Sequence, residues 1–157
     1  MNKDNRNLLL QDLSSRIPYG VKVSVNQSEL QNYDYKWKNW SFDEEPQEID
    51  GVSIYGVTFG CMDMSDGVIG FEYIKPYLFP LSSMTDELWN KEFMGCGITE
   101  FTRDSFKYGC ETLEFNNDNP DLSSMVSFIN QLIKNHFDIY GLIPMGLAID
   151  ATNLNIY

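Results

Sequence analysis

The sequence contains one histidine, His136, and three cysteines, and these residue types could support nucleophilic catalysis. A thiol activated by His136 would need a carboxylate to orient the imidazole, and Asp138 and Asp150 are the acids that follow the histidine. The cysteines each adjoin a glycine and lie in no catalytic signature: Cys61, Cys96 and Cys110. Free cysteine is among the most buried residue types, so the pattern favours structural cysteines and a capping role for His136. A small Cys/His-dependent hydrolase or transferase using His136, Asp138 or Asp150 is the alternative.

The same residue types could hold a metal ion, but their spacing does not fit one. Structural zinc takes ligands in pairs a few residues apart, and the cysteines and the histidine show no such pairing. The stretches 63–67 and 116–119 are rich in oxygen ligands but lack the alternating acids of a calcium loop. No glycine is followed by the Lys-Ser/Thr pair of a phosphate-binding loop. We therefore expect no metal ion and no cofactor.

Acidic residues dominate the sequence, with 23 Asp and Glu against 11 Lys and Arg and a net charge of −12. The basic residues are concentrated in residues 1–42, so residues 43–157 carry a net charge of −14. Such a body repels phosphate backbones and anionic membranes, which argues against direct binding of either. The densest acidic run surrounds Pro46 and is the first candidate binding surface: Asp43, Glu44, Glu45 and Glu48.

Aromatic residues alternate with lysines just before this run, which gives a second candidate surface. Its members are Tyr33, Tyr35, Trp37 and Trp40, interleaved with Lys36 and Lys38. Exposed aromatics beside cations can stack on bases or sugars. The alternative is that the aromatic side chains face the core while the lysines face water.

The elements that would position these residues follow from the hydrophobic pattern. Leucines at helical spacing predict a helix that starts near Asp4 and stops before Pro18, and Val21, Val23 and Val25 then alternate as in a half-buried strand. Residues 52–74 predict short, bent antiparallel strands. Thr85 can cap a second helix, and loose alternation over 98–115 predicts a hairpin.

The last predicted helix begins near Pro120 and carries one apolar stripe, which we expect to be buried. The stripe consists of Leu122, Met125, Val126, Ile129, Leu132 and Ile133. The tail 137–157 is apolar enough to pack on the core. The whole pattern predicts an α+β fold, in which an antiparallel strand meander packs with about three helices. The meander could be an open sheet or a barrel. The chain is long enough for one domain over 1–157.

Three stretches of sequence carry a resemblance: residues 16–23 (RIPYGVKV), residues 74–85 (IKPYLFPLSSMT), and the segment from Asn135-His136-Phe137-Asp138 through 141–143 and 146–152 to Tyr157. Together they cover about a quarter of the chain, and they resemble a group of small, uncharacterised proteins encoded by gut Bacteroides species and their phages or prophages. The chain departs from that group at Tyr140, where a basic residue is expected, and at Asn153, where glycine is frequent. The resemblance implies a phage-associated, cytoplasmic protein and implies no activity, cofactor or catalytic residue.

The residues and the resemblance point to one function class ahead of the enzyme alternative. We expect a non-enzymatic accessory protein that binds a host or phage protein through an acidic surface, a basic nucleic-acid-binding host protein being one such partner. The odd number of cysteines favours free thiols in a reducing compartment. No stretch of the sequence is apolar over the length of a membrane span. The sequence therefore predicts a cytoplasmic location and leaves the oligomeric state open.

Overall fold

The computed structural model describes residues 1–33, 37, 41–42, 46–60, 67–108 and 122–157. These residues form five helices and six strands, so the predicted α+β class is confirmed, with more helices than the three expected. The described strands form two sheets that do not close into a barrel. The chain divides into two compact units, Met1–Tyr77 with Tyr140–Tyr157 and Leu78–Ile139. The single domain over 1–157 stays a prediction.

The first unit is built on a four-stranded sheet of order β2-β1-β5-β6. Its strands are β1 (Lys22–Val25), β2 (Gln47–Glu48), β5 (Ile74–Leu78) and β6 (Ile149–Asp150). β1 is antiparallel to both neighbours and pairs Lys22 with Glu48 and Ser24 with Lys75. A separate hairpin joins β3 (Gly51–Ser53) to β4 (Gly56–Thr58). At Gly56 the backbone φ is +155°, and a Cβ atom there would clash with the carbonyl oxygen of Ile69, so only glycine fits.

The predicted first helix is α1 (Lys3–Arg16), and its capping residue is Asn2 rather than Asp4. The Asn2 side chain accepts a hydrogen bond from the backbone N–H of Asn5 at 2.8 Å. The buried residues of α1 follow a helical spacing and so lie on one face: Leu9, Asp12, Leu13 and Arg16. That face therefore carries a buried ion pair beside its leucines.

The helix α2 (Gln27–Tyr33) occupies residues that show no helical apolar pattern in the sequence. Its Tyr33 was predicted to open an alternating aromatic stretch, and it is instead the last residue of this helix. In the first unit the C-terminal tail packs on the core as predicted, since Leu142 and Ala151 are fully buried.

The second unit packs the helices α3 (Asp86–Glu92), α4 (Glu100–Lys107) and α5 (Leu122–Lys134) around an aromatic cluster. The predicted cap of α3 is confirmed, because the Thr85 hydroxyl accepts from the N–H of Leu88 at 3.1 Å. The rings of Trp89, Phe93 and Phe128 pack with centroid separations of 5.6–6.3 Å.

The hairpin predicted over 98–115 is wrong where the chain is described, because residues 100–107 form α4. The buried residues there are Ile98, Thr102, Ser105 and Phe106. Their spacing is helical. Thr102 and Ser105 are small and polar, so a search for periodic apolar residues does not count them toward the core. The loose alternation of Phe106 and Tyr108 was the misleading signal, and Tyr108 is 85% exposed.

The helix α5 begins within two residues of Pro120, as predicted, but the predicted burial of its stripe is wrong for four of its six residues. Leu132 and Ile133 are buried, whereas four stripe residues are exposed: Leu122, Met125, Val126 and Ile129. The helix is instead anchored by Phe128, which is 1% exposed in the aromatic cluster and lies off the stripe. The bulkiest side chain, rather than the most regular pattern, decides which face is buried.

Candidate functional site

A groove of about 520 Å³ lies in the first unit, where β1 leads into α2 beside the start of β5. Its volume falls within the range of small-ligand and side-chain sites. The lining is mainly polar: Ser24, Val25, Asn26, Glu29, Glu72, Tyr73, Ile74 and Lys75. We call these eight residues the β1–α2 groove.

Asn26 sets the geometry of one wall. Its side-chain oxygen accepts hydrogen bonds from the hydroxyl of Ser28 at 3.0 Å and the N–H of Glu29 at 3.4 Å, which caps the start of α2. The backbone N–H of Asn26 donates to the carbonyl of Tyr73 at 2.7 Å. In a capping box the glutamate three residues after the cap would accept this N–H. Because Tyr73 takes it, the Glu29 carboxylate stays exposed at the groove.

The opposite wall comes from the 3-10 turn Phe71–Tyr73 and the first residues of β5. Phe71 is fully buried and fixes the turn, while the neighbouring Glu72 side chain is exposed and lies against Gly70. Lys75 pairs with Ser24 across the two strands, so both side chains occupy one face of the sheet. The wall thus presents one carboxylate and one ammonium group.

The charges of the β1–α2 groove are uncompensated within the described residues. Neither Glu29 nor Glu72 forms an ion pair there, and Lys75 forms none either. The groove therefore carries a net charge of −1 at neutral pH, with carboxylates contributed from both walls. Such a site can accept the cationic side chain of a partner, because each carboxylate can receive charge-assisted hydrogen bonds from arginine or lysine.

The two strands that line the groove are tied together by Tyr157. Its hydroxyl accepts a hydrogen bond from the backbone N–H of Lys22 at 3.2 Å and donates to the carbonyl of Tyr77 at 2.9 Å. The ammonium group of Lys22 donates to the carbonyl of Ile156 at 2.7 Å. Burial of the hydroxyl raises the pKa of Tyr157 to about 12, so the group stays neutral over the physiological range.

The predicted acidic surface is only partly described. Asp43, Glu44 and Glu45 lie outside the described residues, and Glu48 is exposed on β2 opposite Lys22. The Glu48 carboxylate lies beside Gly20, whose φ of +68° is the left-handed conformation that glycine adopts readily.

The predicted aromatic surface is partly described as well. Tyr35 and Trp40 lie outside the described residues, and only the backbone of Tyr33 is described. Trp37 is 3% exposed, and its ring centroid lies 6.4 Å from that of Phe42. This burial favours the core alternative for Trp37, because a buried indole offers no face for stacking.

The candidate catalytic residues are divided between the two units. His136 and Asp138 lie in the second unit, both 6% exposed, on either side of a bridge to Phe79. The N–H of Phe79 donates to the carbonyl of His136 at 2.9 Å, and the N–H of Asp138 donates to the carbonyl of Phe79 at 2.8 Å. Asp150 belongs to the first unit, where its carboxylate accepts from the N–H and the hydroxyl of Thr152.

His136 closes α5 through its backbone. Its N–H donates to the carbonyl of Ile133 at 3.0 Å, and the N–H of Phe137 donates to the carbonyl of Leu132 at 2.9 Å. These two bonds form a Schellman motif with His136 at the left-handed position, where its φ is +58°. The capping role expected for His136 is therefore seen in its backbone.

Cys96 is the cysteine that the structure describes, and it is buried in the aromatic cluster. Its sulfur lies 3.7 Å from the hydroxyl oxygen of Ser127. Cys61 and Cys110 lie outside the described residues. Across the described part of the chain, no group of three or more His, Cys, Asp or Glu residues is placed to hold a metal ion.

The groove residues were not selected from the sequence, because Glu29 and Glu72 are 43 positions apart and neither belongs to a motif. The one available signal was Asn26 three residues before Glu29, a helix-start pattern.

Among the described helices, none is long and apolar enough to cross a membrane. The sequence matches no protein-family model, no curated protein and no solved structure.

Proposed function

We propose that this chain is a non-enzymatic accessory protein of a phage or prophage that acts in the cytoplasm and binds a basic host or phage protein. Recognition uses the acidic surface, and the β1–α2 groove receives a cationic side chain of the partner. A basic protein that normally binds nucleic acid is a suitable partner, because surface carboxylates can take the place of phosphates.

One observation carries this proposal: Glu29 and Glu72 place exposed carboxylates on both walls of the groove, with no ion pair among the described residues. Paired carboxylates would offer a partner little, because an incoming cation would have to displace the existing one. Unpaired carboxylates in a chain of net charge −12 attract cations at long range and hold them at short range.

The phage association rests on the resemblance of residues 16–23, 74–85 and 135–157. The preference for binding over catalysis rests on the described candidates. His136 serves as a helix stop, Asp150 accepts local hydrogen bonds in the other unit, and Cys96 is buried beside Ser127.

A labelled arginine-rich peptide tests the groove directly. Its affinity for the parent protein and for Glu29→Gln/Glu72→Gln is measured by fluorescence anisotropy. Each exposed ion pair contributes about 0.2–1 kcal/mol, so loss of both carboxylates in the double variant should raise Kd about two- to thirtyfold. Lys75→Gln should lower Kd, because it removes a repulsive charge from the same groove.

The matched control is Asp4→Asn/Glu87→Gln, which removes two exposed acids outside the groove. An equal loss of affinity in both double variants would refute the groove and leave only diffuse charge attraction. Failure of the parent to bind the peptide at about 0.1 M salt would refute acidic recognition itself. Capture from host lysate at rising salt then identifies partners whose retention depends on Glu29 and Glu72.

A further inference from the structure

The N-terminal part of α5 presents an apolar stripe to solvent. Its residues follow the spacing i, i+3, i+4, i+7, and their exposed fractions are 76% for Leu122, 40% for Met125, 50% for Val126 and 38% for Ile129. We call these four residues the α5 stripe. Contiguous exposed apolar side chains of this kind mark interaction sites in monomeric proteins.

The orientation of α5 is fixed by its other contacts. Phe128 packs on Trp89, Phe93 and Phe106 with centroid separations of 5.6–6.3 Å. At 3.6 residues per turn, the direction of Phe128 lies about a third of a turn from the centre of the α5 stripe. Rotation of the helix to bury the stripe would pull Phe128 out of the aromatic cluster. The stripe therefore stays on the outward face of α5.

Charge distinguishes α5 from the other helices. Its sequence, LSSMVSFINQLIK, contains no carboxylate, whereas each of the other four described helices contains at least one. Its single charge, Lys134, pairs with Glu92 at 3.1 Å. In a chain of net charge −12, α5 is the one among the described helices at which two copies can meet without opposing carboxylates on the contacting helices.

We propose that the α5 stripe is the contact surface for a second copy of this chain, in an antiparallel twofold dimer. A twofold contact needs a self-complementary patch, and an apolar stripe satisfies this because each side chain can pack on its equivalents. Antiparallel packing also opposes the two helix dipoles favourably. The exposed Ser123 and Ser127 are small and do not hold the helices apart.

A basic partner is a poorer occupant of this surface. The partner described under Proposed function is attracted by carboxylates, and α5 offers none.

The size of the stripe sets the expected affinity of the dimer. Four side chains supply less than the roughly 800 Å² per partner of a standard interface, so the dimer should have a micromolar or weaker Kd.

Sedimentation equilibrium of the full chain, over about 1 to several hundred micromolar, tests the proposal. The parent should show a reversible monomer–dimer equilibrium, and Met125→Ser/Ile129→Ser should raise its Kd at least tenfold. The matched control is Met94→Ser/Leu154→Ser, which alters two exposed apolar residues elsewhere and should leave Kd unchanged. Added salt should strengthen dimerisation, because it screens repulsion between copies, whereas it should weaken binding of the arginine-rich peptide.

Two results would overturn the proposal. The first is a parent that stays monomeric over the whole range, and the second is an equal effect of the two double variants. If the parent is monomeric, a markedly lower urea midpoint of the Met125→Ser/Ile129→Ser variant would show that the chain covers the stripe itself. A monomeric Met125→Ser/Ile129→Ser variant that keeps the parent urea midpoint in dilute solution would confirm the contact.

Discussion

Breaking the buried ion pair of α1 should destabilise the protein severely. Arg16 donates two hydrogen bonds to the Asp12 carboxylate, at 2.9 and 2.7 Å, and neither residue has any solvent exposure. Asp12→Leu would leave the guanidinium buried without its carboxylate. Loss of one partner of a buried pair costs about 3–5 kcal/mol. Because a domain has only about 5–15 kcal/mol of total stability, this single change should remove a large fraction of it.

A double variant separates the cost of breaking the pair from the value of the pair itself. Asp12→Leu/Arg16→Met removes both charges and keeps apolar volume on the buried face of α1. It should be more stable than either Asp12→Leu or Arg16→Met alone, since buried ion pairs are often replaced by apolar residues at little cost. Glu92→Gln breaks the more exposed pair with Lys134 and should change stability much less.

The measurement is equilibrium unfolding in urea, followed by tryptophan fluorescence and by far-ultraviolet circular dichroism. Coincident transitions would also support the single cooperative domain predicted from the sequence. The slope with urea should stay constant across variants, so that shifts in midpoint report stability. A loss below about 1 kcal/mol in Asp12→Leu, or a double variant less stable than both single variants, would refute the reasoning about the pair.

Three further predictions follow from the described contacts. His136→Gly should be more stable than His136→Ala by about 1 kcal/mol in urea unfolding, because the left-handed backbone penalises alanine, and equal stabilities would contradict the Schellman role. Phe128→Ala should cost about 3–5 kcal/mol in the same assay, and a cost under 1 kcal/mol would show that the aromatic cluster does not anchor α5. Tyr157→Phe should be less stable than the parent near pH 9, with the difference shrinking as pH approaches 12. The raised pKa makes the Tyr157 contribution complete below its usual pKa of 10.0 and lost as the folded form ionises near 12, so a difference that grows with pH would refute it.

Local rules were sufficient for the elements whose signals are local. The cap at Thr85, the start of α5 near Pro120 and the strand at Val23 were all predicted from adjacent residues, because capping and alternation act within a few positions. The α+β class followed from the order of these elements. The failures were α4 and α2, whose buried or helical residues include polar side chains that a hydrophobic pattern does not register.

Tertiary packing decided what the sequence left ambiguous. The α5 stripe and Phe128 compete for burial on one helix, and the sequence cannot rank them, because the outcome depends on the cavity offered by Trp89 and Phe93. The β1–α2 groove likewise exists only because strand pairing brings Ser24 opposite Lys75 and the backbone of Asn26 onto Tyr73. The sequence by itself determined the net charge and the starts of α3 and α5, which are sums or short-range properties. Which carboxylates face one another, and which apolar face stays in water, depends on contacts between residues about fifty positions apart.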